Sequence, residues 1–119
     1  MADSIRLRRI ESTVQNEIGM MILKQMIKDP RVSETLTVTR VTVSKDIAHA
    51  KVFISSLAGD EDLHQAIEAL NHAAGFIQVR IGKQLKTRNT PKLRFIEDHS
   101  IEEGVEMTRK LEALEELEQ

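Results

Sequence analysis

Apolar residues at Leu7, Ile10, Val14, Ile18 and Met21 recur every three or four positions, the spacing of a helix that buries a single stripe. Ser4 can cap its start. Pro30 is expected to stop it near Lys28 or Asp29, because the residue before a proline is pushed out of helical geometry. The period then changes. Thr35 to Ser44, TLTVTRVTVS, is rich in β-branched residues and predicts a strand. Its phase shifts between Val38 and Val41, which requires a bulge or a change of buried face. After a short turn at Lys45 to Ile47, Ala50, Val52 and Ile54 alternate on one side of His49 to Ser56, so the two runs predict an antiparallel hairpin.

Gly59 and Asp60 end the strand region. A second helix is expected from Asp60 or Asp62, turning Leu63, Ala66, Ile67 and Leu70 inward. It meets Ala73-Ala74-Gly75, where the glycine reads as the left-handed end of a helix. A third helix is expected to begin at Phe76, with Ile77, Ile81 and Leu85 as its apolar stripe. Thr87 to Pro91 breaks the pattern, and Lys92 to Glu97 resumes a β alternation with Leu93 and Phe95 on one face. The predicted order is α-β-β-α-α-β, an α+β fold. Ser100 and Glu103 suit a capping box for a final helix or tail bearing Ile101, Val105, Met107, Leu111 and Leu114.

With 119 residues, 40% of them hydrophobic, the chain can build one domain around a modest core. Three Phe and no Tyr or Trp leave that core to aliphatic residues and argue against a sheet carrying several base-stacking aromatics. The absence of cysteine removes disulfide and thiolate chemistry and fits a reducing compartment. No apolar run approaches the ~18 to 20 residues needed to span a bilayer, and the first residues lack a signal-peptide core. A soluble, cytoplasmic, monomeric protein without membrane contact is expected.

Charge divides the chain in two. Residues 1–95 hold fifteen Lys/Arg against ten Asp/Glu, net +5, and residues 96–119 hold two against nine, net -7. This suggests a basic working domain over residues 1–99 and an acidic helix or tail over 100–119. Within the basic part, Arg80, Lys83, Lys86, Arg88, Lys92 and Arg94 follow one another without an acid. An ordinary exposed helix mixes signs to form i,i+4 pairs, and this stretch forgoes them. Their fields add and can neutralise several phosphates. Gly75, flanked by the small Ala73 and Ala74, would let a phosphate backbone approach the break and the N-terminus of the next helix. A polyanion, RNA above all, is the indicated partner.

Other chemistry is thin. His49, His64, His72 and His99 have no metal-ligand spacing, and there is no glycine-rich phosphate loop and no nucleophile elbow. No cofactor, metal or enzymatic activity is expected.

The chain resembles the ribosome-binding factor A family. The likeness rests on Asp29-Pro30-Arg31, on VTRVTVSKDIAHAKVFISS from Val38 to Ser56, and on Ala73-Ala74-Gly75. It continues through Ile81-Gly82-Lys83, Pro91-Lys92-Leu93-Arg94-Phe95, and Asp98-His99-Ser100 with Gly104. It implies a type II KH-like domain of three helices over a three-stranded sheet, with an Ala-x-Gly kink where other KH domains carry a GxxG loop. It also implies binding to the small (30S) ribosomal subunit and its 16S rRNA. The expected role is late maturation and 5′-end processing of the precursor, with particular need in the cold. Ala73 and Gly75 carry over as the kink, and Arg80, Lys83, Lys86 and Arg88 as the cations that follow. Relatives often have serine between the two kink residues, and here Ala74 offers no hydroxyl. The same element order also occurs in BolA-like protein-interaction modules, the alternative reading.

Overall fold

The β-branched run before Ser44 and the alternating run after His49 close on each other as a hairpin, and the last strand joins them in parallel. In the computed structural model, which describes residues 2–85 and 89–118, the order is α1 (Ala2–Leu23), β1 (Leu36–Val43), β2 (His49–Ser56), α2 (Asp60–His72), α3 (Ala74–Gln84), β3 (Lys92–Glu97) and α4 (Ser100–Glu118). The sheet order is β1-β2-β3. β1 and β2 are antiparallel, with the register shifting between Val38 and Arg40, which is the bulge that the phase change requires. β2 and β3 are parallel.

Three helices cover one face of this sheet. Val38, Val41, Ala50, Val52, Ile54, Leu93 and Phe95 point into the layer between them and are buried against Ile10, Val14, Ile18, Leu63, Leu70, Ile77 and Ile81. The other face of the sheet is open, because the residues alternating with these are exposed or half-buried. Helix side chains occupy the outer edges of the sheet. On β1, Gln15 Nε2 donates to the Val38 carbonyl (3.2 Å) and the Glu11 carboxylate accepts from Val43 N–H (2.8 Å). On β3, Asn71 accepts from Phe95 N–H (2.8 Å) and donates to its carbonyl (3.1 Å), and Gln78 accepts from Leu93 N–H (2.9 Å). Backbone groups that would otherwise template pairing with another strand are thereby taken up.

Three boundaries differ from the sequence expectation. α1 ends at Leu23, five or six residues before the predicted stop. Gln25 sits in the left-handed region at φ 53, its N–H donates to the Ile22 carbonyl (3.1 Å), and Met26 N–H donates to Met21 (2.9 Å). This is a Schellman closure with glutamine in the place usually held by glycine. It turns the chain early so that Ile27 returns to the core. α3 begins at Ala74, not Phe76, and Gly75 lies inside its first turn. The capping box at α4 does not form as predicted, since Ser100 is the first helical residue. Asp98 accepts from the Ser100 N–H at 2.9 Å and also from its hydroxyl. It further accepts a short hydrogen bond from Thr39, and these contacts tie the start of α4 to the bulge in β1.

α4 itself leaves the packed body. Val105, Met107, Leu111, Leu114 and Leu117 are 48–83% exposed; the side chain of Ile101 lies outside the described residues.

Candidate nucleic-acid interface

The break between α2 and α3 is made by one residue. Ala73 has φ -88 and ψ 3, its N–H still donates to Ala69 (3.0 Å), and its carbonyl already accepts from Ile77 (3.1 Å). Ala73 and Ala74 are half-buried and pack against the core, so their small size serves helix packing. Gly75 has no positive φ, which overturns the reading of it as a left-handed cap. It is exposed, and a Cβ built there meets nothing within 4 Å. Nothing in the protein's own conformation or packing requires a glycine at this position, and its bare backbone is presented at the N-terminus of α3.

From there Ile77, Ile81 and Leu85 turn inward and are buried. Phe76, Val79, Arg80 and Lys83 occupy the opposite stripe, spaced i, i+3, i+4 and i+7. Phe76 is 54% exposed and Val79 66%, and both cations are exposed. The Asn71 and Gln78 bonds to β3 hold the helix pair against the strand and so fix the direction in which this stripe faces.

The four described cations of the run do not form one patch. Lys86 and Arg88 lie outside the described residues. Lys92 and Arg94 are exposed on β3, but they point to the open face of the sheet, because Leu93 and Phe95 between them point into the core. Arg80 and Lys83 are on the outer surface of the helix layer. The cluster is continuous in sequence and split in space by the thickness of the fold. Among the described residues, none of Arg80, Lys83, Lys92 and Arg94 is in an ion pair; the pairs formed are those of Arg31, His64 and His99.

Ion pairs and hydrogen bonds shift a few titratable groups. The Arg31 side chain, hydrogen-bonded to Asp29 at 2.8 Å, holds that carboxyl at about 2. The hydrogen bond from the Thr39 hydroxyl, followed by those from Ser100, lowers the pKa of Asp98. His99 lies 3.5 Å from Asp60, 3.4 Å from Glu97 and 3.3 Å from Glu102. Burial lowers its pKa, but the hydrogen bond to Glu102 and the fields of these three acids outweigh burial and raise it. Ligand atoms of Asp60, His99 and Glu102 come within 4.8 Å of one another, a grouping that sequence spacing missed because α2 and α4 are far apart along the chain. The arrangement works as an ion-pair network joining α2, β3 and α4.

The Ribosome-binding factor A family model matches residues 6–111. The chain belongs to the ribosome-binding factor A family. It is 44% identical over 110 residues to ribosome-binding factor A of Treponema denticola, covering 92% of this chain and 83% of that protein. Among solved structures it is similar to a putative ribosome binding factor A of Thermotoga maritima determined by NMR, with TM-score 0.68, 36% identity and coverage of 80% and 89%. It also matches a homology model of Thermus thermophilus ribosome binding factor A fitted into a cryo-EM map of a 30S complex with that factor, with TM-score 0.61, 25% identity and coverage of 76% and 93%. The fold is that of ribosome-binding factor A structures, a KH-like fold, and the BolA-like alternative is set aside. No helix among the described residues is long and apolar enough to cross a membrane.

Proposed function

We propose that this chain is a non-enzymatic, monomeric, cytoplasmic assembly factor that binds the 30S subunit and assists late maturation of 16S rRNA, including processing of its 5′ end. Residues 1–99 form the binding domain and residues 100–119 an acidic appendage. The exposed stripe of α3, with Arg80 and Lys83 behind the bare backbone of Gly75, is the rRNA-contacting surface. Lys86 and Arg88 extend it in sequence.

The observation that carries this reading is the unneutralised stripe itself. Two cations stand without carboxylate partners on the outer face of α3, Arg80 near its middle and Lys83 in its last turn, and the first turn of the same helix, where backbone N–H groups favour an anion, carries a glycine that neither strain nor packing demands. Mechanistically the factor acts by differential binding. It holds one rRNA conformation more tightly than its competitors, the population shifts toward that conformation, and no bond is made or broken. Reversing both charges, Arg80→Glu with Lys83→Glu, should leave the melting temperature within a degree or two while co-sedimentation with 30S subunits is lost. Retained binding would refute the assignment of this surface.

A further inference from the structure

The open face of the sheet carries a feature that the α3 stripe does not explain. The strand register places Thr42, Lys51 and Arg94 side by side in one row across the three strands. The next row holds Arg40, Phe53 and Ile96, and the row on the other side pairs His49 with Lys92. Four cations therefore stand on one sheet face, each exposed. The Arg40 guanidinium lies over the Phe53 ring at 4.2 Å from its centroid.

We infer that this face is a second RNA-contacting surface, taking the phosphodiester backbone of a single-stranded segment along Lys92, Arg94 and Lys51, with the Arg40–Phe53 pair offering a flat platform to a base. The inference rests on the reading of the chain as an rRNA-binding factor, but it concerns a surface on the opposite side of the fold from α3.

Three observations support it. First, Lys51 and Arg94 are direct neighbours on adjacent strands, roughly 5 Å apart in backbone spacing. Like charges in that relation destabilise a sheet unless an anion lies between them. Second, among the described residues neither carboxylate at the ends of the face forms an ion pair with these cations, although Asp98 lies near enough to Arg40 to feel its charge, and both accept hydrogen bonds elsewhere. Asp46 in the hairpin turn accepts from the Ser44 hydroxyl (2.7 Å) and Ala48 N–H (3.1 Å), and Asp98 accepts from Thr39 and Ser100. Third, protection of a sheet edge explains lysine and arginine on outer strands, yet Lys51 lies on the central strand, where that explanation has no force. Phe53 and Ile96, both half-buried, give the face a small apolar centre. Stacking on aromatic and guanidinium planes is how unpaired bases are held by proteins.

The test uses the full chain and purified 30S subunits. Lys51→Gln with Arg94→Gln removes both charges, keeps polar side chains and touches no core residue. It should leave the melting temperature equal or slightly higher, because a like-charge contact is relieved. The 30S affinity should fall about tenfold or more, and the slope of log affinity against log salt should flatten by roughly 1.5. Unchanged affinity and slope would overturn the inference. Measuring this pair beside a separate Arg80→Gln and Lys83→Gln variant distinguishes the two surfaces. If only the sheet variant loses binding, the α3 assignment fails and the present one stands; if only the α3 variant does, the reverse holds. The chain has no native cysteine, so a photo-crosslinker on Thr42→Cys reports from this face alone. Crosslinks to rRNA support the proposal, and crosslinks to ribosomal proteins only would refute it.

Discussion

α1 and α4 have 22 and 19 residues, and both carry apolar residues at roughly helical spacing, yet their environments are opposite. In α1, Ile10, Val14, Ile18 and Met21 are at most 4% exposed; in α4, Val105, Met107, Leu111 and Leu114 are 48–60% exposed. Projected at about 100° per residue, the α1 positions fall within roughly 80° and can meet a sheet together. Those of α4 from Val105 to Leu117 spread over roughly 240°, so no single flat partner can cover them. The difference also lies outside the helices. The apolar face of the sheet is already filled by α1, α2 and α3, and its other face offers cations and threonines. An apolar stripe buries itself only where a neighbour has matching surface to spare.

The comparison is easiest to break with a pair of truncations. Ile18→Ala should cost about 2 to 5 kcal/mol, the range for an aliphatic side chain removed from a closed core. Leu114→Ala should stay within about 0.5 kcal/mol. Denaturant melts of both variants measure the contrast, and equal losses would mean that α4 packs against the body. A smaller effect of opposite sign is expected at the end of α1. Gln25→Gly should stabilise the chain by about 1 kcal/mol, because the left-handed conformation there strains any side chain.

The finest contrast is pH dependence at the start of α4. Asp98 has a lowered pKa, so its contribution is present above the ordinary carboxylate value of about 3.9 and lost as pH falls through its folded value. His99 has a raised pKa, so its contribution is full below about 6.5 and lost as pH rises through its folded value. Hydrogen exchange at the first-turn amides of α4, corrected for intrinsic rates, should show greatest protection between about pH 4 and 6.5. The middle of α1 should show no such maximum.

Much of the fold was legible because burial and periodicity agree. β2 and β3 match their predicted bounds, the β1 bulge falls where the phase slips, and every apolar stripe assigned to α2 and α3 turns inward, with Ile67 only half-buried. Gln25 was not legible, because glutamine carries no signal for a left-handed cap; the cap exists because Ile27 has a core position to reach. The site was legible as charge but not as geometry. Arg80 and Lys83 face solvent as helical spacing predicts, while Lys92 and Arg94 are adjacent to them in sequence and across the sheet in space. Asn71 and Gln78 gave no signal at all, since a polar residue on a helix shows its strand partner only after the strand has docked. The left-handed cap expected at Gly75 is absent because its backbone is ordinary helix, and a Cβ there would meet nothing, as at Gly19, Gly59 and Gly104.

The parallel pairing of β2 with β3, separated by residues 57–91, sets an order of assembly. The β1–β2 hairpin closes over a few residues, whereas a parallel neighbour must wait for a long crossover to fold, and such non-local pairings are the slow ones. β3 is therefore expected to dock last. Until it does, Lys51 has no Arg94 beside it, Asn71 and Gln78 have no edge to hold, and the stripe on α3 has no fixed direction. A nascent or half-folded chain presents scattered charge and neither surface, so competence to engage a ribosomal precursor arrives in one step, with the last strand.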